Sequence, residues 1–395
     1  MAGSSGYKNY RHQADVFQMY QILMNRGFDK DRTILFAYDD ISKDPSNPFP
    51  GKVFNIRKHI NVRPPESRIT YSGARVTAEN LIGVLTGDKK IDGPVLESTE
   101  NDDVFFFYND HGTRGLLCIP HGNGAHLTAQ KLLDTISLMK KKKMFRKLFI
   151  VVEACYSGSV GKVFEGIEDV AVVTAANSMQ SSYSHGYDED IETFRTNEFT
   201  NNLHRYVLHH PESSIAGLFN YTKTFTYGSD VFYFGDRKMK AEKLSQFLGE
   251  AEPLNLNFEN AEVYESESTL SAMETEIMYL KERAARAKDL AAKKELMAKI
   301  HQEKVRRHLS KDVMSQIAAP FSGHNVKEAS LQFPENPKWT CYEKTVEAFR
   351  QKCGDFGEFE LKRVSMFAKL CEEHDESKIV QRIEKVCPVK RWTIA

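Results

Sequence analysis

No stretch of this 395-residue chain is apolar for long enough to cross a bilayer, which excludes a membrane-spanning helix. Neither sign of charge is in excess. Lys and Arg number 54 and Asp and Glu 54, so the overall balance does not point to nucleic acid or an anionic membrane as partner. The opening MAGSSGYKNY has no signal-peptide character and is read as a trimmed, mature-like start. Cysteine is sparse until the end: Cys118 and Cys155 stand alone, while Cys341, Cys353, Cys371 and Cys387 fall in the last 55 residues. No C-x2-4-C pair occurs among those four, which argues against a zinc site, and four cysteines leave three disulfide pairings open. His121, His126, His204, His209 and His210 lack ordered Cys or carboxylate partners, so neither a metal nor a cofactor is expected.

The chain is large enough for two domains, with 41% hydrophobic residues to fill their cores. Over residues 1–240, apolar strand-like runs alternate with helical patterns, the signature of an α/β parallel sheet. Predicted strands are 33–38, 103–108, 148–153, 170–175 and 231–234. Predicted helices are 12–26, closed by Gly27, then 77–85, capped by Thr77, and 127–140. Residues 41–73 read as a long loop. Residues 241–269 form an exposed linker rich in Asn, Glu and Ser, and 270–395 a helical domain. Within that domain Leu270, Met273, Ile277, Leu280, Ala284, Ala287 and Ala291 recur at three- and four-residue steps, predicting one apolar stripe along a long helix over 270–317.

The chemistry concentrates at the ends of two strands. LFIVVEACYSGSV (148–160) is a continuous apolar run, as in a strand buried on both faces, and ends in Glu153, Ala154 and Cys155 before small residues. A lone Cys there is more often structural. A second run, DVFFFY (103–108), ends in Asn109, Asp110, His111 and Gly112, and ligands in open α/β sheets collect where strands end. Cys155 and His111 thus make a thiolate–imidazole pair: the sulfur as nucleophile, the ring as general acid and base. The backbone N–H groups of Gly112 and Cys155 are the candidate oxyanion donors.

The blocks AGSSGYKNYRHQAD, NDHGTRG and EACYSGS, in that order, resemble the legumain family of cysteine proteases, the asparaginyl endopeptidases of the C13 family in the caspase-like clan. The resemblance implies a caspase-like α/β sandwich over 1–240, followed by a death-domain-like helical pro-domain. It also implies the disulfides Cys341–Cys371 and Cys353–Cys387. Asn9 matches the residue that orients the catalytic imidazole, and Asp110 one that in relatives cyclises to a succinimide. Arg11, His12, Glu153, Ser181 and Ser182 match an asparagine-reading pocket, in which Arg11 donates and Glu153 accepts. One departure stands out. The family's pocket Asp falls on Asn197 or Glu198, and Asn197 there removes a negative charge, which weakens the basis for Asn preference.

The implied activity is cleavage after Asn, and after Asp at acidic pH, through a thioester, with transpeptidase or ligase activity as a further outcome. The implied proenzyme is held by its own pro-domain as inhibitor and self-cleaves in acid, with Asn255, Asn257 and Asn260 as candidate sites. Peptide substrates and cystatin-type inhibitors are the expected partners, and a lysosomal or vacuolar compartment, or secretion, the expected location. Two alternatives remain open: a catalytic subunit like the GPI-anchor transamidase, and a non-enzymatic adhesion or inhibitory module using the carboxyl-terminal helices. A caspase proper is disfavoured, since Glu-Ala-Cys stands where caspases have Gln-Ala-Cys.

Overall fold

The structure, a computed structural model, describes residues 1–210, 212–250, 269–322 and 333–391. The chain forms two compact units, Met1–Gly112 with Leu116–Ala272, and Thr113–Gly115 with Met273–Ala395.

The first unit is built on a four-stranded sheet. Asp103–Asn109 pairs in parallel with Lys147–Glu153, which pairs in parallel with Val170–Thr174, and Phe232–Gly235 closes that edge antiparallel. Leu148 through Val152 have no exposed surface, the reason this strand reads as an unbroken apolar run. The register sets Asn109 opposite Glu153, so the residues after each strand emerge at the same end of the sheet. Helix Tyr10–Asn25 is followed by Gly27 at φ 72°, the left-handed turn that stops a helix. Thr77 and Thr128 cap helices Ala78–Leu85 and Ala129–Lys141, each accepting a backbone N–H three residues on.

Several expectations change. Residues 33–38 form no strand; Phe36 makes only an isolated bridge to Tyr71. On its other side the Phe36 carbonyl accepts the N–H of Ala2, and Ile34 and Leu35 line a cavity of about 440 Å³ with Leu23, Val84 and Phe107. The segment's backbone bonds to Ala2, Tyr71 and Gly73 close a single bridge instead of the consecutive pairs a ladder needs. A second, antiparallel sheet of Thr269–Ser271, Tyr183–Asp188 and Thr193–Asn197 was not anticipated, because its strands are polar and short. It takes residue 269 from the expected linker and residues 270–271 from the expected helical domain. Residues 241–250 are also partly built in, with Leu244, Phe247 and Leu248 buried.

The second unit is helical: Thr275–Arg286, Leu290–Ser322, Trp339–Lys352, Glu358–Leu361, Ser365–Glu373 and Glu376–Val386. The single long helix expected over 270–317 is interrupted at residues 287–289. Ala287 turns extended, and Asp289 restarts the helix by accepting the N–H of Ala292 at 2.8 Å. The anticipated stripe does not persist either; Ala291 is exposed, and the buried face of Thr275–Arg286 carries Thr275, Glu276, Tyr279 and Ala284. Disulfides join Cys341 to Cys371 and Cys353 to Cys387. The half-buried Arg306 pairs with Glu303, Glu360 and Glu276. Beside it Glu274 accepts from Arg307 at 2.9 Å and Lys362 at 2.5 Å. The tripeptide Thr113–Gly115 is held within this unit, Tyr342 donating to the Arg114 carbonyl at 2.9 Å and Thr113 to that of Leu361 at 2.5 Å.

Candidate active site

His111 and Cys155 each stand two residues beyond the paired ends Asn109 and Glu153. The approach is close: a Cβ on Gly112 would lie 2.9 Å from the Cys155 carbonyl oxygen, so only glycine fits beside the cysteine. Tyr156, directly after the sulfur, has φ 57°, a conformation a bulky residue adopts only where its surroundings enforce it. Its N–H is fixed on the Gln180 carbonyl at 2.9 Å.

Asn9 Oδ1 lies 2.8 Å from His111 Nε2. The Asn9 amide nitrogen donates to the Ser5 carbonyl at 3.0 Å, which turns the oxygen toward the ring. A ring donating through Nε2 carries its lone pair on Nδ1. The Cys155 sulfur engages Ser182, lying 3.7 Å from its hydroxyl oxygen and accepting its N–H at 3.3 Å, and is not hydrogen-bonded to His111. Burial pushes the Cys155 thiol up to about 11. In this arrangement the sulfur is a protonated thiol.

Beside the sulfur runs a buried polar chain. Glu153 accepts from Thr200 at 3.2 Å, and Thr200 accepts from the Asn109 amide at 3.1 Å. Asn109 Oδ1 lies 2.8 Å from His12 Nδ1 and accepts from the Asn197 amide at 3.1 Å. Asn197 Oδ1 accepts from Arg11 Nε at 3.0 Å. Asp15, one helical turn beyond Arg11, accepts from Asn55, Thr196, Asn109 and Asn197 at 2.6–2.9 Å. Burial raises Glu153 to about 8, Asp15 to about 6 and Asp110 to about 6. Burial, helped by Arg11 and His111, holds His12 well below its ordinary value, so its ring is neutral.

Of the two residues weighed for the pocket, Asn197 meets Arg11. Glu198 instead accepts the N–H groups of Tyr227 and Gly228 at 3.0 and 2.9 Å. Ser182 touches the sulfur, and Ser181 interacts with it more weakly. His12 turns to Asn109 and lies 3.8 Å from Asp110, whose carboxylate oxygens are buried. Asn255, Asn257 and Asn260 lie outside the described residues. Asp15, Asn109 and Thr200 had not been singled out. The one sequence clue was the four-residue step from Arg11 to Asp15, which puts both on one helix face.

Donor atoms of His12, Asp110 and His111 lie within 4.8 Å of one another, as do those of His59, Asp188 and Asp190. In the second group Asp188 is already taken, 2.8 Å from His59 and 3.1 Å from Arg195.

Comparison with known proteins matches residues 1–250 to a model of the peptidase C13 family and residues 295–387 to a model of the legumain prodomain. A vacuolar-processing enzyme of Ricinus communis is 32% identical over 409 residues, covering 94% of this chain and 80% of that protein. A hemoglobinase of Schistosoma japonicum is 31% identical over 362 residues, covering 89% and 83%. A legumain of Mus musculus is 30% identical over 402 residues, covering 98% and 91%.

Proposed function

This chain belongs to the peptidase C13 family as a legumain-type cysteine endopeptidase with a legumain pro-domain, and from that premise we propose the substrate, the residue roles and the activation that follow. It cleaves peptide bonds after Asn, and after Asp in acid, through a thioester on Cys155. The observation that carries this reading is the short contact between Asn9 Oδ1 and His111 Nε2, at the sheet end where Cys155 also emerges.

The resting thiol first gives its proton to His111. The thiolate then attacks the carbonyl carbon, the N–H groups of Cys155 and Gly112 receive the oxyanion, and the imidazolium protonates the leaving amine. Water, deprotonated by His111, releases the acyl group; an incoming amine in its place gives transpeptidation. Arg11, Glu153, Ser182 and Asn197 read the side chain at the cleaved bond, and Asn9 positions His111. Cys155 must leave Ser182 to meet the ring, so we place that shift at the start of the cycle.

The helical second unit serves as the inhibitor of the proenzyme, and acid self-cleavage after Asn255, Asn257 or Asn260 removes it, consistent with an acidic, vacuole-like compartment. Among the described residues no helix is long and apolar enough to cross a membrane. The match to the legumain prodomain speaks for this reading over a transamidase subunit or a non-enzymatic module. Hydrolysis of an Ala-Ala-Asn-coumarin peptide between pH 4 and 8, absent in Cys155→Ala, is the test. A chain inert at every pH after limited proteolysis of the linker disproves the assignment.

A further inference from the structure

We infer that Asn197 makes the substrate pocket a reader of an ionised carboxylate, so that this peptidase cleaves after Asp at neutral pH as well as after Asn. The inference rests on the proposed role of Arg11 in that pocket.

Arg11 has no exposed surface. Its Nε donates to the neutral amide oxygen of Asn197 at 3.0 Å, its Nη1 reaches only the Lys8 carbonyl at 3.5 Å, and its Nη2 has no hydrogen-bond partner. Among the described residues no carboxylate oxygen lies within ion-pair distance of this guanidinium. A buried cation with no counter-charge at ion-pair distance is costly, and the group that best relieves it is an anion offered to its open N–H donors.

The groups around it strengthen the case. Asp15, on the same helix, is committed to four side-chain donors and sits behind Asn197 rather than against the guanidinium. Glu153, on the adjoining strand, is raised by burial to about 8 and is a neutral carboxylic acid at pH 7, able to donate its proton to a ligand oxygen. His12 is neutral and turned to Asn109. Asp110, raised by burial to about 6, feels the Arg11 charge from beyond ion-pair distance, and the His111 ring packs edge-on against His12 at 4.8 Å. A fixed cation and a neutral acid therefore face the substrate side chain. With an acidic residue at position 197, Arg11 would be neutralised in place, and an ionised Asp would meet repulsion where it now meets a donor. The Asn amide nitrogen, by contrast, finds an ionised acceptor in Glu153 only as pH rises toward 8.

The test compares Ala-Ala-Asn and Ala-Ala-Asp coumarin peptides on the activated enzyme at pH 5, 6 and 7. We expect the Asp peptide to hold kcat/KM within about tenfold of the Asn peptide at pH 7, and Asn197→Asp to widen that gap to about 100-fold or more. Because Asn197→Asp places a second carboxylate near Asp15, Arg11→Gln serves as an independent variant; it should depress cleavage after Asp at least about tenfold more than cleavage after Asn. Wild-type enzyme that cleaves after Asn but loses Asp cleavage above pH 6 overturns the inference and leaves the peptidase assignment standing. Hydrolysis of neither peptide overturns the assignment itself.

Discussion

Asn9 Oδ1 sits 2.8 Å from His111 Nε2, joining the turn before the first helix to the end of a sheet strand 102 residues away. With its amide nitrogen committed to Ser5, Asn9 offers the ring an acceptor, which favours the tautomer with the proton on Nε2. Asn9→Ala should lower kcat about 10- to 100-fold with little change in KM, a fraction of what general acid–base catalysis contributes. An Asn9→Ala enzyme with wild-type kcat across the pH range would show that the ring is oriented by other means.

The resting state of Cys155 gives a second expectation. A thiol at about 11 is ionised to only about one part in 10⁴ at pH 7, against about 3% for an ordinary thiol near 8.5. Alkylation of Cys155 by iodoacetamide in the intact chain should therefore run on the order of 300-fold slower than that of free cysteine. Mass spectrometry of the modified peptide after timed quenching measures it; labelling at the free-cysteine rate would mean that the thiolate is already formed.

The first unit should be an acid-stable fold. Burial raises Glu153 from 4.5 to about 8, and Asp15 and Asp110 from 3.8 to about 6. A carboxyl whose folded value is raised contributes stability that is complete below its unfolded value and is lost as pH climbs through the folded one. The window is thus about pH 4–8, and the Glu153 share is on the order of a few kcal/mol. Thermal melting of the Cys155→Ala chain should show the first unit's transition falling between pH 5 and 8, and Glu153→Gln should flatten that slope. A midpoint that rises over the same range contradicts the assignment.

The second unit carries the opposite sign. Burial disfavours the Glu274 carboxylate, yet Lys362 and Arg307 outweigh it and hold its carboxyl below the ordinary 4.5, so the stability it adds is lost as pH falls below about 4.5. At the centre of the same network, Glu360 accepts from Ser310 at 2.6 Å and from the Gly357 N–H at 2.9 Å, and pairs with Arg306. Glu360→Gln should cost about 2–3 kcal/mol at pH 7, since it weakens a partly buried ion pair while Glu303 still holds Arg306. Urea unfolding followed by hydrogen exchange in 339–386 reads this unit separately; an unchanged midpoint would count against the network.

The two disulfides, each spanning a loop of 30 or 34 residues, should add about 3–4 kcal/mol apiece in the chain-entropy account. Paired Ser substitution at Cys353 and Cys387 should lower the second unit's urea midpoint and leave the first unit's in place. A joint fall of both would mean that the units unfold as one.

The blocks proposed to carry the chemistry were legible because each lies next to an apolar run whose end it marks. His111 follows Asp103–Asn109, and Cys155 follows Lys147–Glu153. Residues 33–38 misled for the same reason. Their apolar, β-favouring composition is real, but their neighbours offer a single bridge at Tyr71, so they line a cavity instead of joining a ladder. The polar strands Tyr183–Asp188 and Thr193–Asn197 were missed because their residues face buried hydrogen-bond partners, which a hydrophobic pattern does not register.

Composition and local order by themselves determined the fold class, the strand ends bearing Cys155 and His111, and the helical character of the tail, since each depends on residues close together in the chain. Only the tertiary structure decided that Asn197 rather than Glu198 meets Arg11, 186 residues away, and that Asp15 ties that pair to Asn109. It also decided that the sulfur rests on Ser182. Such contacts are set by strand register and by the buried partners a polar group must find once water is excluded, and neither is written in the local sequence.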